Sequence, residues 1–426
     1  MPFVITIATI FLLRGYIAAR AQLLTFILFV LTIYFIERFL ETGKKRYAFG
    51  LIAIPIIIAN VHLAVFPFYF ILYLPYIGEY IISKLANSNI IFYKHKIKSL
   101  NKKIDKDNSN EKIKNKLKSV EEKYNYVITK KEKKKEPYKI IVSPSKYTGM
   151  LIIIMIICLF TGLLTPLRGT PYTYLIKTMQ GNTTQNISEH LPLVLIENKE
   201  FMVLLAAYIA ILIFTDTKIK LSDLFLIGGL LLLAFITRRQ ESMVILLGAQ
   251  VITKLICSFL NKYDEDSIVQ AEKAITKPLG IIITMVLVVF TSMVIYKQKM
   301  NLPYVEESNY PVQASDWILE NIDLSTAKLY NEYNYGSYLL FKGIPVFIDS
   351  RADLYAPEFN GKNDIFTDFL DISGLNRYNM QSLLDKYDFT HLIFKRNSRL
   401  GIYIRLKPDL YKEIYKDDYF IIYEKI

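Results

Sequence analysis

Apolar residues along this chain come in long blocks nearly free of charge, separated by polar turns, from residue 2 to about residue 298. A helix needs about 20 apolar residues to cross about 30 Å of hydrocarbon. Nine segments, at 2–13, 21–37, 47–60, 63–83, 149–166, 201–215, 222–237, 242–260 and 279–296, predict membrane-spanning helices. Several are short. The third and fourth run almost together around Asn60-Val61-His62, and Pro55 predicts a kink in the third. Beyond residue 299 the blocks give way to alternating short elements. We expect a helix over 311–319 opened by Pro311, a strand over 328–330, a short helix over 336–341 and a buried strand over 345–349. A helix over 375–386 and strands over 391–395 and 419–424 complete a small α/β layer. The expected fold is an α-helical polytopic membrane protein of about nine spans with a small α/β extracytoplasmic domain at the C-terminal end. Its parts are spans within 1–83, a lysine-rich loop over 84–147, spans within 148–298 and the soluble domain over 299–426.

Charge orients this pattern. The net charge is +13, and residues 84–146 hold 19 lysines against 7 acids, which is +12 of it. In a chain of apolar blocks, such a loop marks the cytoplasmic side. Alternation then places Arg38, Lys44, Lys45, Arg46, Lys218, Lys220 and the 261–277 loop inside, with the N-terminus. The C-terminal domain falls outside a cell membrane crossed many times. The lysines suit anionic lipid head groups; nucleic acid is set aside as a partner, because lysine runs alone are weak evidence for it. Without a strong apolar period, the loop reads as a solvated insertion, partly helical and partly mobile, including the polar stretches 101–110 and 130–136. Both cysteines, Cys158 and Cys257, lie in apolar spans, so no disulfide framework is expected. No metal-ligand spacing or cofactor fingerprint is present, and the segment after Met1 lacks the features of a cleavable signal peptide.

A positive-inside bias leaves a remainder on the outer side. Arg14 and Arg20 flank the first outer turn, Arg168 follows the fifth span, and Arg238 and Arg239 separate the seventh and eighth. Arginines from separate turns at one level suit a phosphate or pyrophosphate through bidentate hydrogen bonds. The competing reading is that each snorkels to lipid phosphate. His62, at a helix break, suits proton transfer or hydrogen bonding to a substrate, or is a buried histidine bonded to a neighbour. Glu189 and His190 lie in the 167–200 outer loop. Glu189 is the candidate catalytic base, a carboxylate that takes an acceptor's proton; its structural alternative is pairing with Arg168 or Arg238. In the soluble domain Asp349, Arg351 and Asp353 follow the expected strand, a place where α/β folds line sites, or they form a salt-bridge network. The aromatic run 333–338 suits stacking on a sugar, or packing and a turn at Gly336.

These residues carry a resemblance. Arg20-Ala21-Gln22-Leu23, Ala59-Asn60-Val61-His62, Thr165-Pro166 and Ile187-Ser188-Glu189-His190-Leu191-Pro192 resemble landmarks of bacterial polytopic glycosyltransferases of the GT-C type. Tyr333-Asn334-Tyr335-Gly336-Ser337-Tyr338-Leu339, with Val346-Phe347-Ile348-Asp349-Ser350-Arg351-Ala352-Asp353-Leu354-Tyr355, is similar to the soluble tail of the same proteins. The resemblance spans most of the chain except the 84–146 insertion. It implies transfer of a sugar from a polyprenyl-phosphate carrier outside the cytoplasm, with Arg20, His62, Glu189, Arg238 and Arg239 around that carrier. It also implies a catalytic Asp or Glu in the first outer loop. Here that loop, 14–20, holds no acid, so the chain reads as starting one or more spans late or as having lost that base.

Two functions follow from different classes. One is a glycosyltransferase using a polyprenyl-phosphate sugar by direct displacement. The other is a non-catalytic membrane protein that binds a lipid carrier or polymer and presents its outer domain to a partner. A secondary transporter fits less well, because the spans show almost no midplane acids and no inverted repeat.

Overall fold

A computed structural model describes residues 2–17, 20–105, 111–133, 139–300, 302–375 and 380–426. All nine apolar segments are helical. In chain order the first eight helices are α1 Pro2–Leu13, α2 Ala21–Thr42, α3 Lys45–Val61, α4 Phe66–Ile71, α5 Leu74–Ala86, α6 Ser88–Ile104, α7 Glu111–Lys133 and α8 Thr148–Thr161. There follow α9 Thr170–Gln180, α10 Thr183–Asn186, α11 Lys199–Phe214, α12 Leu221–Ile236, α13 Glu241–Tyr263, α14 Glu265–Thr276 and α15 Pro278–Met300. Two short strands, β1 Ile140–Ile141 and β2 Ile219–Lys220, pair in parallel.

Among the described residues, four helical stretches are long and apolar enough to cross a membrane: Ala21–Thr42, Leu63–Ala86, Arg238–Tyr263 and Pro278–Gln298. Thr148–Thr161 and Leu221–Ile236 are apolar but shorter. The chain is thus a helical, membrane-type protein. Pro55 lies inside α3 without ending it.

The chain divides into two compact units, one of residues 1–175 with 189–273 and one of 176–188 with 274–426. The division differs from the expected one, since 176–188 joins the C-terminal unit and so does the last apolar helix. In the first unit α2 packs on α3, α8 and α13, while α12 lies between α5 and α13. Phe29, Ile33, Ile36, Leu51, Ile58, Tyr69, Leu151 and Val251 form its buried centre. Apolar side chains on the rim stay exposed, as in Phe49, Phe160 and Phe214. An apolar outer surface is what hydrocarbon solvates.

The lysine-rich loop is more helical than its composition suggests. α6 follows α5 directly after Asn87, and α7 packs against α6 with Leu100 and Val120 buried. Lysine is a good helix former, so a chain rich in it folds helically once two apolar side chains close the hairpin. The polar stretches expected at 101–110 and 130–136 fall partly outside the described residues.

The C-terminal unit adds α16 Val312–Asn321, α17 Tyr333–Phe341, α18 Pro357–Asn360, α19 Ile365–Gly374, α20 Met380–Lys386 and α21 Arg399–Arg405. Its strands are β3 Leu329–Tyr330, β4 His391–Lys395, β5 Tyr411–Lys416 and β6 Phe420–Lys425, in the order β3-β4-β6-β5. β3 and β4 are parallel, and β6 is antiparallel to both β4 and β5. One side of the sheet packs Phe366, Phe369, Leu400 and Ile404; the other packs Ala314, Ile318 and Leu339.

Three expectations change here. Segment 345–349 is not a strand: the side chain of Asn331 takes the place of a pairing neighbour, accepting from the Phe347 N–H at 2.8 Å and donating to the Ile348 carbonyl at 2.7 Å. β3 has already turned into α17, so a buried carboxamide satisfies that backbone instead. Leu375 does not begin a helix; at φ 57° it ends α19 in the left-handed conformation, and the next helix starts at Met380. The rest of the expected helix, 376–379, lies outside the described residues. β5 and α19 were not expected at all.

Candidate functional site

Helix breaks at one end of the first unit carry most of the expected site residues. Three of the arginines meet a carboxylate. Arg20 lies 3.6 Å from Glu189, Arg238 lies 3.0 Å from Glu197, and Arg14 lies 3.4 Å from Glu200. Glu189 therefore pairs with Arg20, not with Arg168 or Arg238 as its structural reading supposed. The Arg238 backbone N–H donates to the Leu191 carbonyl at 2.8 Å, which ties the start of α13 to the segment bearing Glu189 and His190.

A second layer lies behind these pairs. Tyr16 donates to Glu241 at 2.7 Å, and burial next to that carboxylate pushes the phenol well above its usual range, with Arg238 opposing. His62 shares a 2.7 Å hydrogen bond between Nδ1 and the Thr25 hydroxyl. Burial, reinforced by the charge of Arg239, pulls the His62 pKa down, so this ring stays neutral where an ordinary histidine starts to charge. The geometry thus joins Arg20 with Glu189 and Tyr16 with Glu241, while the charge of Arg239 acts on His62 and that of Arg238 on Tyr16 and Glu241. Arg168 stands apart: it holds a left-handed backbone at φ 49°, and among the described residues its side chain has no charged partner.

Asp349, Arg351 and Asp353 belong to the other unit. Asp349 is fully buried and holds Arg351 through Nε at 3.1 Å, Nη2 at 2.5 Å and the backbone N–H at 2.8 Å. Burial alone raises the Asp349 carboxyl; the Arg351 contacts outweigh it and hold it below the usual range. Asp353 sits in the short turn Ala352–Tyr355 just beyond. Tyr333 donates to the Ser350 carbonyl at 2.9 Å, and Ser337 and Ser350 share a 2.7 Å bond. A Cβ at Gly336 would stand 2.0 Å from the Ile348 carbonyl oxygen. The two tail motifs therefore clasp each other, which favours their structural reading. Asp349 and Arg351 satisfy one another, Asp349 buried and Arg351 exposed.

At the opposite end of α2 from Thr25, about 18 Å along the helix at 1.5 Å per residue, a cluster appears that sequence reasoning missed. Lys254 on α13 bridges Glu37 on α2 at 2.5 Å and Asp223 on α12 at 3.1 Å. Gln250 donates to Glu37 at 2.5 Å. Glu79 on α5, 2% exposed, accepts from the Ser143 N–H at 2.8 Å and lies 3.9 Å from Lys220. A cavity of about 350 Å³ opens among Glu37, Tyr76, Ser222, Asp223 and Lys254. The available signal was a single charge inside an apolar run, as at Glu37, Glu79 and Lys254; such a charge needs a partner on another helix.

Comparison with known protein families, with curated proteins and with solved structures returns no match. The likeness to GT-C glycosyltransferases thus stands on the residue motifs alone. Among the described residues, no three His, Cys, Asp or Glu side chains converge as metal ligands.

Proposed function

We propose that this is a multi-pass membrane protein of about nine spans, N-terminus cytoplasmic, that handles a polyprenyl-phosphate-linked sugar at the outer face of the cell membrane. The observation that supports this reading is that the Arg238 helix break is tied through its backbone N–H to the Leu191 carbonyl, in the segment whose Glu189 pairs with Arg20 from another break, while the charge of Arg239 acts on His62. Guanidinium groups at such a level hold a phosphate, and an isoprenoid tail lies among apolar helices. In transfer, the acceptor oxygen forms a bond to the anomeric carbon as the bond to the carrier phosphate breaks. The phosphate leaves with the electron pair onto the arginines, and the acceptor's proton passes to a carboxylate, for which Glu189 is the candidate.

One observation favours the non-catalytic alternative: Arg20 and Arg238 already carry glutamate partners, and Glu189 is the partner of Arg20. In that reading the same layer binds the carrier lipid without turning it over, and the outer domain serves a partner.

Binding of a polyprenyl phosphate to the purified protein tests both. An Arg238→Ala, Arg239→Ala double variant removes two charge-assisted contacts of about 1.5–3 kcal/mol each. Saturable binding weakened at least tenfold in the variant supports the carrier-lipid site, and sugar release from a charged carrier separates enzyme from binder. Equal, non-saturable binding by both proteins overturns the reading.

A further inference from the structure

The cavity at the start of α12 has features that salt bridges alone do not explain. Ser222 is 1% exposed, lines the cavity, and its hydroxyl has no hydrogen-bond partner among the described residues. A buried unpaired hydroxyl costs about 1–3 kcal/mol, so an ordered partner is expected. The first turn of α12 has no side-chain cap, which leaves its N–H groups available to an anion beside Lys220. Carboxylates from Glu37, Glu41 and Asp223 border the same space. Cationic and anionic groups side by side suit a zwitterion better than either ion alone.

An apolar groove of about 300 Å³ runs along the same two helices, α5 and α12, lined by Leu72, Pro75, Phe225, Leu226, Gly229 and Leu230. On α12, Leu226 and Leu230 follow Ser222 at four-residue steps, and in the first turn of α5 Pro75 lines the groove while the next residue, Tyr76, lines the cavity. Residues four apart share a helix face. Polar cavity and apolar groove therefore lie along one stripe, the polar part at the helix end nearest the lysine hairpin.

We propose that this stripe binds one phospholipid with a phosphoethanolamine head group. The phosphate lies at the α12 N-terminus with Ser222 and Lys220, the ammonium lies by Glu41 and Asp223, and an acyl chain lies in the groove. The cavity volume falls within the about 300–1,000 Å³ of small-ligand sites. This site is separate from the outer arginine layer and uses none of its residues.

Native mass spectrometry of the full chain in neutral detergent tests it. The protein is given equal amounts of phosphatidylethanolamine, phosphatidylglycerol and phosphatidylcholine with matched chains. We expect one retained phosphatidylethanolamine, at least tenfold over the other two. Gly229→Leu fills the groove and reduces retention at least tenfold. Gly228→Leu retains the lipid; a Cβ at either glycine meets open space, and Gly228 does not line the groove. Ser222→Ala removes an unpartnered hydroxyl, so the fold is kept while retention falls several-fold. Equal retention of all three lipids overturns the proposal. So does a Gly229→Leu variant that holds the lipid as wild type does, or a Ser222→Ala variant with unchanged retention. None of these outcomes bears on polyprenyl-phosphate binding at Arg238 and Arg239.

Discussion

The two ends of the helical unit use charge in opposite ways. At one end Arg14, Arg20 and Arg238 pair with glutamates across exposed loops; the Arg20 and Glu189 side chains are 63% and 51% exposed. At the other, Glu37, Glu79, Asp223 and Lys254 are set into the helices and joined across four of them. Exposed pairs gain little because water already solvates both partners. Charges set into a helix bundle lose that solvation and depend on each other. The first arrangement leaves groups free to exchange their partners for a ligand, whereas the second fixes helix positions.

This contrast is open to measurement. The largest effect is expected at Lys254→Met, which leaves Glu37 and Asp223 without their shared counter-charge. Thermal unfolding in detergent should show a loss of roughly 2–3 kcal/mol, below the full cost of breaking a wholly buried pair because the lysine reaches the cavity. Adding Glu37→Gln and Asp223→Asn should recover most of it; no recovery would mean that the lysine acts by packing, not charge.

The C-terminal unit offers an intermediate case. Burial raises Glu332 to about 7, with Lys395 and Tyr335 opposing. A carboxyl raised in the folded state binds more protons there than in the unfolded chain. Stability should therefore fall as pH rises from about 4.5 to about 7, by about 3 kcal/mol, and level off above. Glu332→Gln should flatten that slope in pH-dependent denaturation; an unchanged slope would place its origin elsewhere.

Smaller effects belong to the arginine layer. Tyr16→Phe removes the hydrogen bond to Glu241 and should cost about 1 kcal/mol. Arg20→Ala should change stability by less than about 0.5 kcal/mol, because its pair with Glu189 is exposed. A loss at Arg20 as large as at Lys254 would erase the distinction between the two ends.

Much of the helical architecture was legible in the sequence. Each of the nine apolar segments coincides with helix, because long runs of Leu, Ile and Phe satisfy their backbone internally wherever they are buried. β4 appears at its expected bounds and β3 and β6 within a residue or two, since short β-branched and aromatic runs bounded by polar residues leave few alternatives. Segment 345–349 carries the same pattern and is not a strand, because its neighbour is the side chain of Asn331. No local pattern announces that substitution. β5, Tyr411–Lys416, was missed because as an edge strand it carries Lys412, Glu413 and Lys416 in place of an apolar run. The outer arginines were legible as residues, but their partners Glu197 and Glu200 were not, since pairing across loops depends on where the helices end.

Sequence alone determined where the apolar helices lie, where the positive charge collects and which stretch folds as a small α/β layer. These properties depend on residues near one another in the chain. Tertiary structure decided which charges meet. Glu37, Asp223 and Lys254 are 186 and 31 residues apart along the chain, in order, and become neighbours only when α2, α12 and α13 pack. A lone charge in an apolar run says that it needs a partner; only the packing of helices names that partner and leaves the Ser222 hydroxyl facing a cavity without one.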